Sequence, residues 1–197
     1  MPSMIVHDRR LKGATPTWYT FVMQVTATTG IRHIVSTVAR RARERRKLDR
    51  LHILCHGFEA NWNLSDSSCV ADAHGGFGLQ LGREGLTLFN VRQVAQWQGL
   101  VDLIVLFACA TADTYAPNRG TWGDGRRFCG ELALWSGARV IAARDTQTYH
   151  CWDDGSQPID FGAWEGPVYE FSPADPEGTR VLDPSPYRVQ RDRASAA

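Results

Sequence analysis

The sequence predicts an α/β fold built on a mostly parallel sheet. Strand-like and helix-like segments alternate as far as residue 143, and this alternation favours a parallel sheet covered on both faces. Residues 101–109, VDLIVLFAC, form the most apolar segment, and such a continuous run is typical of a strand buried on both sides. The length of 197 residues, with 43% hydrophobic and 22% charged residues, suits one globular domain.

The first three predicted elements are a strand, a helix and a second strand. Residues 18–28, WYTFVMQVTAT, are rich in β-branched and aromatic side chains and predict a strand. Residues 51–55, LHILC, predict a strand that runs into His56-Gly57. Between them, one apolar stripe at helical spacing predicts an amphipathic helix: Ile31, Ile34, Val35, Val38, Ala39 and Ala42.

The rest of the chain contains alternating elements and then a β-rich end. We expect a single domain over residues 1–187, with a core over about 18–146, a β-rich end over about 147–187 and a flexible tail over 188–197. The further predicted elements are a polar loop over 59–76, a hairpin over 78–88, a short helix over 91–97, the strand 101–109, a helix over 126–135 ended by Ser136-Gly137, a strand over 138–143, and strand-like pieces at 148–152, 167–171 and 179–182.

Composition excludes several classes of protein. No apolar run approaches the roughly 20 residues that span a bilayer, and the N-terminus lacks the pattern of a secretion signal. The five scattered cysteines favour reduced thiols, so we expect a cytoplasmic protein with no membrane segment. The adjacent pairs Cys55-His56 and His150-Cys151 lack chelating spacing, so we expect neither a metal nor a cofactor.

Two predicted central strands end in reactive side chains, His56 and Cys109. Sites in parallel sheets form at the carboxyl ends of strands, so neighbouring strands would bring these two residues to one edge. A cysteine nucleophile needs a base nearby, and a glycine beside the histidine lets backbone N–H groups approach a substrate oxyanion. Each residue also has a structural interpretation, Cys109 as a core hydrophobe and His56 as a hydrogen-bonding loop residue.

The segments LHILCHG and LIVLFAC resemble the caspase-like superfamily of cysteine peptidases. In that superfamily one apolar strand ends in His-Gly and a later one ends in Cys, and the separation of 109 − 56 = 53 residues is close to the caspase spacing of about 50. The resemblance covers roughly residues 19–146. Two further segments, GGFGLQLG and GDGRRFCGELALWSGARVIAA, resemble the bacterial CHAT proteases most.

The resemblance implies a caspase-like three-layer sandwich, in which helices flank a mostly parallel central sheet, and a Cys-His dyad. Cys109 would be the nucleophile, His56 the general acid and base, and the N–H groups of Gly57 and Cys109 the oxyanion hole. Residues 107–111, Phe-Ala-Cys-Ala-Thr, depart from the caspase Gln-Ala-Cys-x-Gly pattern and from the metacaspase pattern. The departure leaves substrate specificity open, and it leaves room for an inactive caspase-like binding or scaffold module.

The residue preference before the cut depends on charges near the nucleophile. A pocket for Arg or Lys needs a carboxylate, and a pocket for Asp needs an arginine. The superfamily lines this pocket with the loop after the nucleophile strand and with the strand after the next helix, which indicates Asp113, Asp124, Arg144 and Asp145. Asp145 favours a basic substrate residue, Arg144 favours the opposite, and a solvated loop aspartate is the structural alternative.

The expected partners are a protein or peptide substrate and a separate activating protein, since small bacterial members of the superfamily often serve in regulated cleavage, including defence. Basic residues over 40–50 could contact nucleic acid, but the solvated face of a helix accounts for them better, because no aromatic platform is interleaved. His52 is interpreted as a core histidine that could support the site, Cys55 as core, and Cys69 and His74 as loop residues.

Overall fold

The structure, a computed structural model, describes residues 1–58, 60–62, 71–152 and 156–189, and only the backbone of 60–62 and 71–74. Its described strands are β1 (Ser3–Asp8), β2 (Phe21–Val25), β3 (Arg50–Leu54), β4 (His56–Gly57), β5 (Ala60–Trp62), β6 (Ala71–His74), β7 (Leu79–Gln80), β8 (Leu103–Phe107), β9 (Arg139–Ala143), β10 (Val168–Ser172) and β11 (Asp175–Val181). The described helices are α1 (Ile31–Glu44), α2 (Gly125–Ser136) and the 3-10 helices Val91–Trp97, Ala116–Asn118 and Ser185–Tyr187.

A seven-stranded sheet forms the centre of the fold, in the order β11-β10-β9-β8-β3-β1-β2. The five strands from β9 to β2 are parallel, and β10 and β11 extend the sheet as an antiparallel edge. The prediction of an α/β fold with a mostly parallel sheet is therefore confirmed. Two small antiparallel ribbons, β4-β7 and β5-β6, lie outside the central sheet.

The sheet has a helical face and a coil-covered face. The apolar sides of α1, α2 and the 3-10 helix Val91–Trp97 share one cluster with alternate residues of the strands, such as Met4, Leu51 and Ile104. Parallel strands are connected by right-handed crossovers, and the steps from β2 to β3, from β3 to β8 and from β8 to β9 all run in one direction across the sheet. The helices in these three connections therefore lie on the same face. The step from β1 to β2 runs the other way, so its connection crosses the opposite face.

That opposite face is covered by irregular segments. The connection from β1 to β2 contributes Leu11 and Tyr19, and the segment before β10 contributes Ile159, Phe161 and Trp164. These side chains pack on Ile5, Leu54, Val105, Phe107 and Ile141 of the sheet. In the described part of the chain, the layer on this side of the sheet therefore contains no α-helix, and the α-helices expected to flank the sheet lie on one face only.

The strongly periodic segments fold as the sequence predicts. All six apolar residues of the predicted first helix are buried on α1. Every residue of β8 is buried, and Gly137 ends α2 in the left-handed conformation, with φ 70°. Among the residues described, no helix combines the length and the apolar character that a membrane crossing would need.

The prediction was incomplete at β1 and wrong at residues 148–152. Ser3–Asp8 forms an interior strand between β2 and β3, so the core begins before residue 18. The first predicted strand is shorter than expected and covers only Phe21–Val25. Residues 148–152 form no strand, and His150 makes one isolated bridge to Asp160.

Candidate active site

His56 and Cys109 follow adjacent parallel strands at the same edge of the sheet. Leu54 of β3 is in register with Phe107 of β8. His56 lies two positions after Leu54, and Cys109 lies two positions after Phe107. The Cys55 N–H continues the pairing by donating to the Phe107 carbonyl at 3.2 Å. The strand pairing therefore brings His56 and Cys109 to equivalent positions, both half-buried, where the sequence predicted them to meet.

Gly57 lies directly against the backbone of Cys109. A Cβ placed on Gly57 would lie 1.9 Å from the carbonyl oxygen of Cys109 and 3.1 Å from its backbone nitrogen. No side chain fits at that distance, so the position requires glycine for close approach. This contact brings the backbones of Gly57 and Cys109 side by side. The role of their N–H groups as an oxyanion hole stays a prediction.

The His56 ring lies where the chain direction across the sheet reverses. The chain runs from β1 outward to β2, and from β3 outward in the opposite direction, so the crevice between the ends of β1 and β3 is a topological switch point. There the His56 Nε2 atom is 3.3 Å from the carbonyl oxygen of Arg10. A carbonyl can only accept, so this contact assigns the proton of the neutral ring to Nε2 and leaves Nδ1 as the basic nitrogen.

The Cys109 thiol contacts a second loop at the same edge. Its Sγ atom is 3.6 Å from the carbonyl oxygen of Gln147, to which the S–H can donate. The next residue, Ala110, has a φ of 49°, a conformation that few residues other than glycine adopt. The Ala110 N–H donates to the Asp145 carbonyl at 3.2 Å, which ties this sharp turn to the end of β9.

Glu165 holds the loop that contacts Cys109. Its backbone exchanges two hydrogen bonds with the Gln147 amide, at 2.8 and 3.1 Å. Its carboxylate accepts hydrogen bonds from the Thr148 hydroxyl and from the Thr148 N–H, and these bonds lower the pKa of Glu165. The Gln147 carbonyl is therefore held in place by residues far along the chain.

The Arg10 carbonyl adjoins the His56 ring, and Arg10 is paired with Asp8; neither residue was predicted from the sequence. The Asp8 carboxylate accepts two hydrogen bonds from the Arg10 guanidinium, at 2.9 and 2.6 Å, and one from the Gly82 N–H at 2.8 Å. Burial by itself would raise the pKa of Asp8, but the hydrogen bonds from Arg10 and Gly82 outweigh it and lower that pKa. In the sequence this pair is visible as Asp-x-Arg directly after residues 4–7, MIVH. The pattern can be interpreted only when those residues are recognised as strand β1.

His7 fixes the same connection from the other face of β1. Its ring Nε2 lies 2.9 Å from the Leu11 carbonyl, and its Nδ1 lies 2.8 Å from the Thr15 hydroxyl. Burial lowers the pKa of His7, which favours the neutral ring. The turn that carries the Arg10 carbonyl is thus held to β1 by hydrogen bonds with the side chains of His7 and Asp8, the last two residues of that strand.

The predicted substrate-binding residues Arg144 and Asp145 contact each other. The Arg144 Nε donates to the Asp145 carboxylate at 2.7 Å, and both side chains are exposed by more than a third. The Asp145 carboxylate also packs on Gly166. The Asp113 backbone carbonyl accepts hydrogen bonds from Gly76 and Gly125, so Asp113 lies in the loop that follows Cys109.

Asp124, another candidate for the substrate pocket, stabilises the start of α2. It is the N-cap of α2, and its carboxylate accepts bonds from the Arg127 N–H, the Thr114 hydroxyl and the Gly120 N–H. Burial opposes ionisation, but these hydrogen bonds prevail and lower the pKa of Asp124. These bonds give Asp124 a structural role at the start of α2, and its role in a substrate pocket stays a prediction.

The remaining sequence candidates are buried core residues or lie outside the described residues. His52 is 2% exposed and packs edge-on against Tyr19, and burial lowers its pKa to about 3. Cys55 is buried on the helical face, as predicted. Cys69 and the side chain of His74 lie outside the described residues.

The described residues contain no group of three His, Cys, Asp or Glu side chains placed to hold a metal ion. Arg40 and Arg41 of the basic segment both contact Glu44 on the exposed side of α1. Comparison of the chain with family models, with curated proteins and with solved structures finds no match.

Proposed function

We propose that this protein is a cysteine peptidase that cleaves a protein or peptide substrate through Cys109 and His56. One observation carries the proposal, namely that His56-Gly57 and Cys109 end two paired parallel strands with their backbones in contact. A histidine with a carbonyl-bound Nε2 has Nδ1 available to take a proton from a thiol. The strained turn at Ala110 is of the kind that clusters at functional sites.

The proposed reaction passes through a thioester. The Cys109 sulfur attacks the substrate carbonyl while its proton passes to Nδ1 of His56. The protonated ring then gives that proton to the leaving amine, and the C–N bond breaks. Water, deprotonated by the same ring, attacks the thioester, which releases the acid and restores the Cys109 thiol.

We assign the fold, within this proposal, to the caspase-like three-layer sandwich, with the bacterial CHAT proteases as the most similar members. The seven-stranded sheet supports the assignment, since its five parallel strands place a histidine and a cysteine at one carboxyl edge. A substrate protein and a separate activating protein are the partners that follow from it. Cleavage after a basic residue bound by Asp145 is the corresponding specificity.

Peptide cleavage with matched variants tests the proposal. Wild type, Cys109→Ala and His56→Ala are incubated with a complex peptide library, with and without calcium, and new termini are identified by mass spectrometry. Cys151→Ala is the control, because Cys151 is also a half-buried thiol but lies outside the dyad. We expect cleavage by wild type and by Cys151→Ala, and loss of about 10²-fold or more in the dyad variants.

A caspase-like binding module without activity is the second candidate, and the contact between Cys109 and Gln147 favours it. A thiol whose sulfur lies 3.6 Å from a loop carbonyl can serve to hold that loop, which is a structural role. If wild type cuts nothing in the library and iodoacetamide leaves Cys109 unmodified, the binding module replaces the peptidase. Rapid alkylation of Cys109 together with cleavage of library peptides excludes the inactive binding module.

A further inference from the structure

We propose that the ion pair of Asp8 and Arg10 is a positioning device for His56, which fixes the ring so that Nδ1 is its basic nitrogen. The inference rests on the proposed function, because it concerns the same histidine. It goes beyond that function by assigning a role to two residues outside the dyad. Three features of the structure support it.

The first feature is that Arg10 contacts the His56 ring with its backbone and contacts the strand paired with His56 with its side chain. Its backbone carbonyl lies 3.3 Å from Nε2 of the His56 ring. Its guanidinium donates to the carbonyl of Gln80 at 3.1 Å, and Gln80 is the register partner of His56 in the β4-β7 ribbon. Arg10 therefore fixes the ring of His56 and the strand that pairs with the His56 backbone.

The second feature is the burial of the carboxylate that orients Arg10. The Asp8 side chain is 1% exposed, at the end of a strand in the sheet interior. A buried carboxylate needs a charged partner, and the bidentate geometry of Arg10 provides one with a fixed orientation. Asp8 also accepts a bond from the Arg10 N–H at 3.1 Å, which sets the direction of the Arg10 peptide.

The third feature is that the pair joins the two segments on either side of His56. Arg10 donates to the Gly82 carbonyl at 2.6 Å while Asp8 accepts from the Gly82 N–H at 2.8 Å. The turn after β1 and the turn after β7 are thereby held together. If the pair is broken, the Arg10 carbonyl is no longer held beside the ring, and both neutral tautomers of His56 become accessible.

The test uses the full chain and needs no substrate. The variants are Asp8→Asn, Arg10→Gln and Arg10→Lys, and the readouts are the ring-nitrogen NMR signals of His56 and the rate of Cys109 alkylation by iodoacetamide. His56→Gln identifies the His56 signals, and peptide mapping separates Cys109 from the other cysteines. Glu170→Gln is the control, because it breaks another bidentate pair, Arg139 with Glu170 at 2.6 and 2.8 Å, between β9 and β10.

We expect Nε2 to carry the proton in wild type and in Glu170→Gln, and a mixture of tautomers in Asp8→Asn and Arg10→Gln. Cys109 alkylation slows about tenfold in these two variants, as is typical when an outer partner of a reactive group is lost. Arg10→Lys keeps the charge but not the bidentate geometry, so we expect it to behave as Arg10→Gln.

Unchanged His56 signals and alkylation in folded variants would overturn the positioning role, even if their melting temperatures fall. If Asp8→Asn does not fold, the two Arg10 variants decide by the same readouts. Failure of the proposed function is a separate outcome. A wild type that cuts no peptide, but whose His56 tautomer depends on the pair, refutes the peptidase and supports the positioning role.

Discussion

Gly57 and Cys109 are so close that only a hydrogen atom fits between the Cα of Gly57 and the carbonyl oxygen of Cys109. This contact joins the segment that carries His56 to the strand end that carries Cys109. The relative position of these two residues therefore depends on a hydrogen atom at Gly57 in place of a methyl group.

Gly57→Ala should consequently disrupt the dyad. The added Cβ must displace the Cys109 carbonyl, and overpacking of this kind costs about 1–3 kcal/mol of unfolding free energy. We expect slower Cys109 alkylation and a lower melting temperature. Gly30→Ala is the control, since its Cβ would meet nothing nearer than 3.9 Å. Equal behaviour of the two variants would contradict the close approach.

Ala110→Gly tests the strain beside the nucleophile. Ala110 has a φ of 49° and Ala133 lies within α2, and both are buried. Replacing either by glycine loses a methyl group and adds entropy to the unfolded chain, but only at Ala110 does it also relieve a left-handed conformation worth about 1 kcal/mol. Urea unfolding should show Ala110→Gly costing about 1 kcal/mol less than Ala133→Gly. An equal cost would mean that the turn stores no strain.

His52 should make the protein sensitive to acid. Its folded pKa of about 3 lies below the ordinary value of 6.5, so the unfolded chain binds a proton first as the pH falls. The stability contributed by His52 is complete above pH 6.5 and is lost progressively towards pH 3, by up to about 1.4 kcal/mol per pH unit.

His52→Leu should therefore reduce the dependence of unfolding free energy on pH within that window. Neither ring nitrogen makes a well-formed hydrogen bond in the described structure, and the Tyr187 backbone opposes only part of the lowering of the pKa. The variant should therefore also be more stable near neutral pH, by about 1–3 kcal/mol. Urea titrations from about pH 7 to pH 4 measure both effects. His7→Gln is a useful comparison, because its ring has two partners and its loss should destabilise. Parallel pH profiles for wild type and His52→Leu would contradict the assignment.

The pairing of Arg144 with Asp145 gives a prediction about substrate preference. If Asp145 binds a basic substrate residue, Arg144 competes for the same carboxylate. Arg144→Gln should then lower the KM for peptides with Arg before the cut, and Asp145→Asn should raise it, each by about tenfold or less, because the pair is exposed. Opposite changes, or cleavage only after Asp, would assign the pocket to Arg144 instead.

Local patterns were sufficient to predict the elements that carry the dyad. The continuous apolar run of β8 and the helical stripe of α1 gave periodic signals, and Gly137 gave a terminating signal for α2. The prediction then required that the strands ending at His56 and Cys109 be parallel neighbours, and β3 and β8 are paired in this way. These elements place His56 and Cys109, so the sequence predicted their location at one sheet edge.

Tertiary interactions explain what the sequence could not show. β1 ends in His7 and Asp8, and two buried polar residues argue locally against an interior strand. They are compatible with burial only because Leu11, Thr15, Arg10 and Gly82 satisfy their hydrogen bonds. The partner of the His56 ring was equally hidden, since a backbone carbonyl has no signature in a sequence.

The coil that covers one face of the sheet has a consequence for protein synthesis. On the ribosome, β8 and Cys109 emerge well before Gln147, and Glu165, which holds the Gln147 loop, emerges later still. The face on which Phe161 and Trp164 pack stays open to solvent until that stretch is translated. The nascent chain therefore displays its thiol before it can complete the surroundings of that thiol. A cell that makes this protein therefore gains the finished site only after Glu165 has been translated.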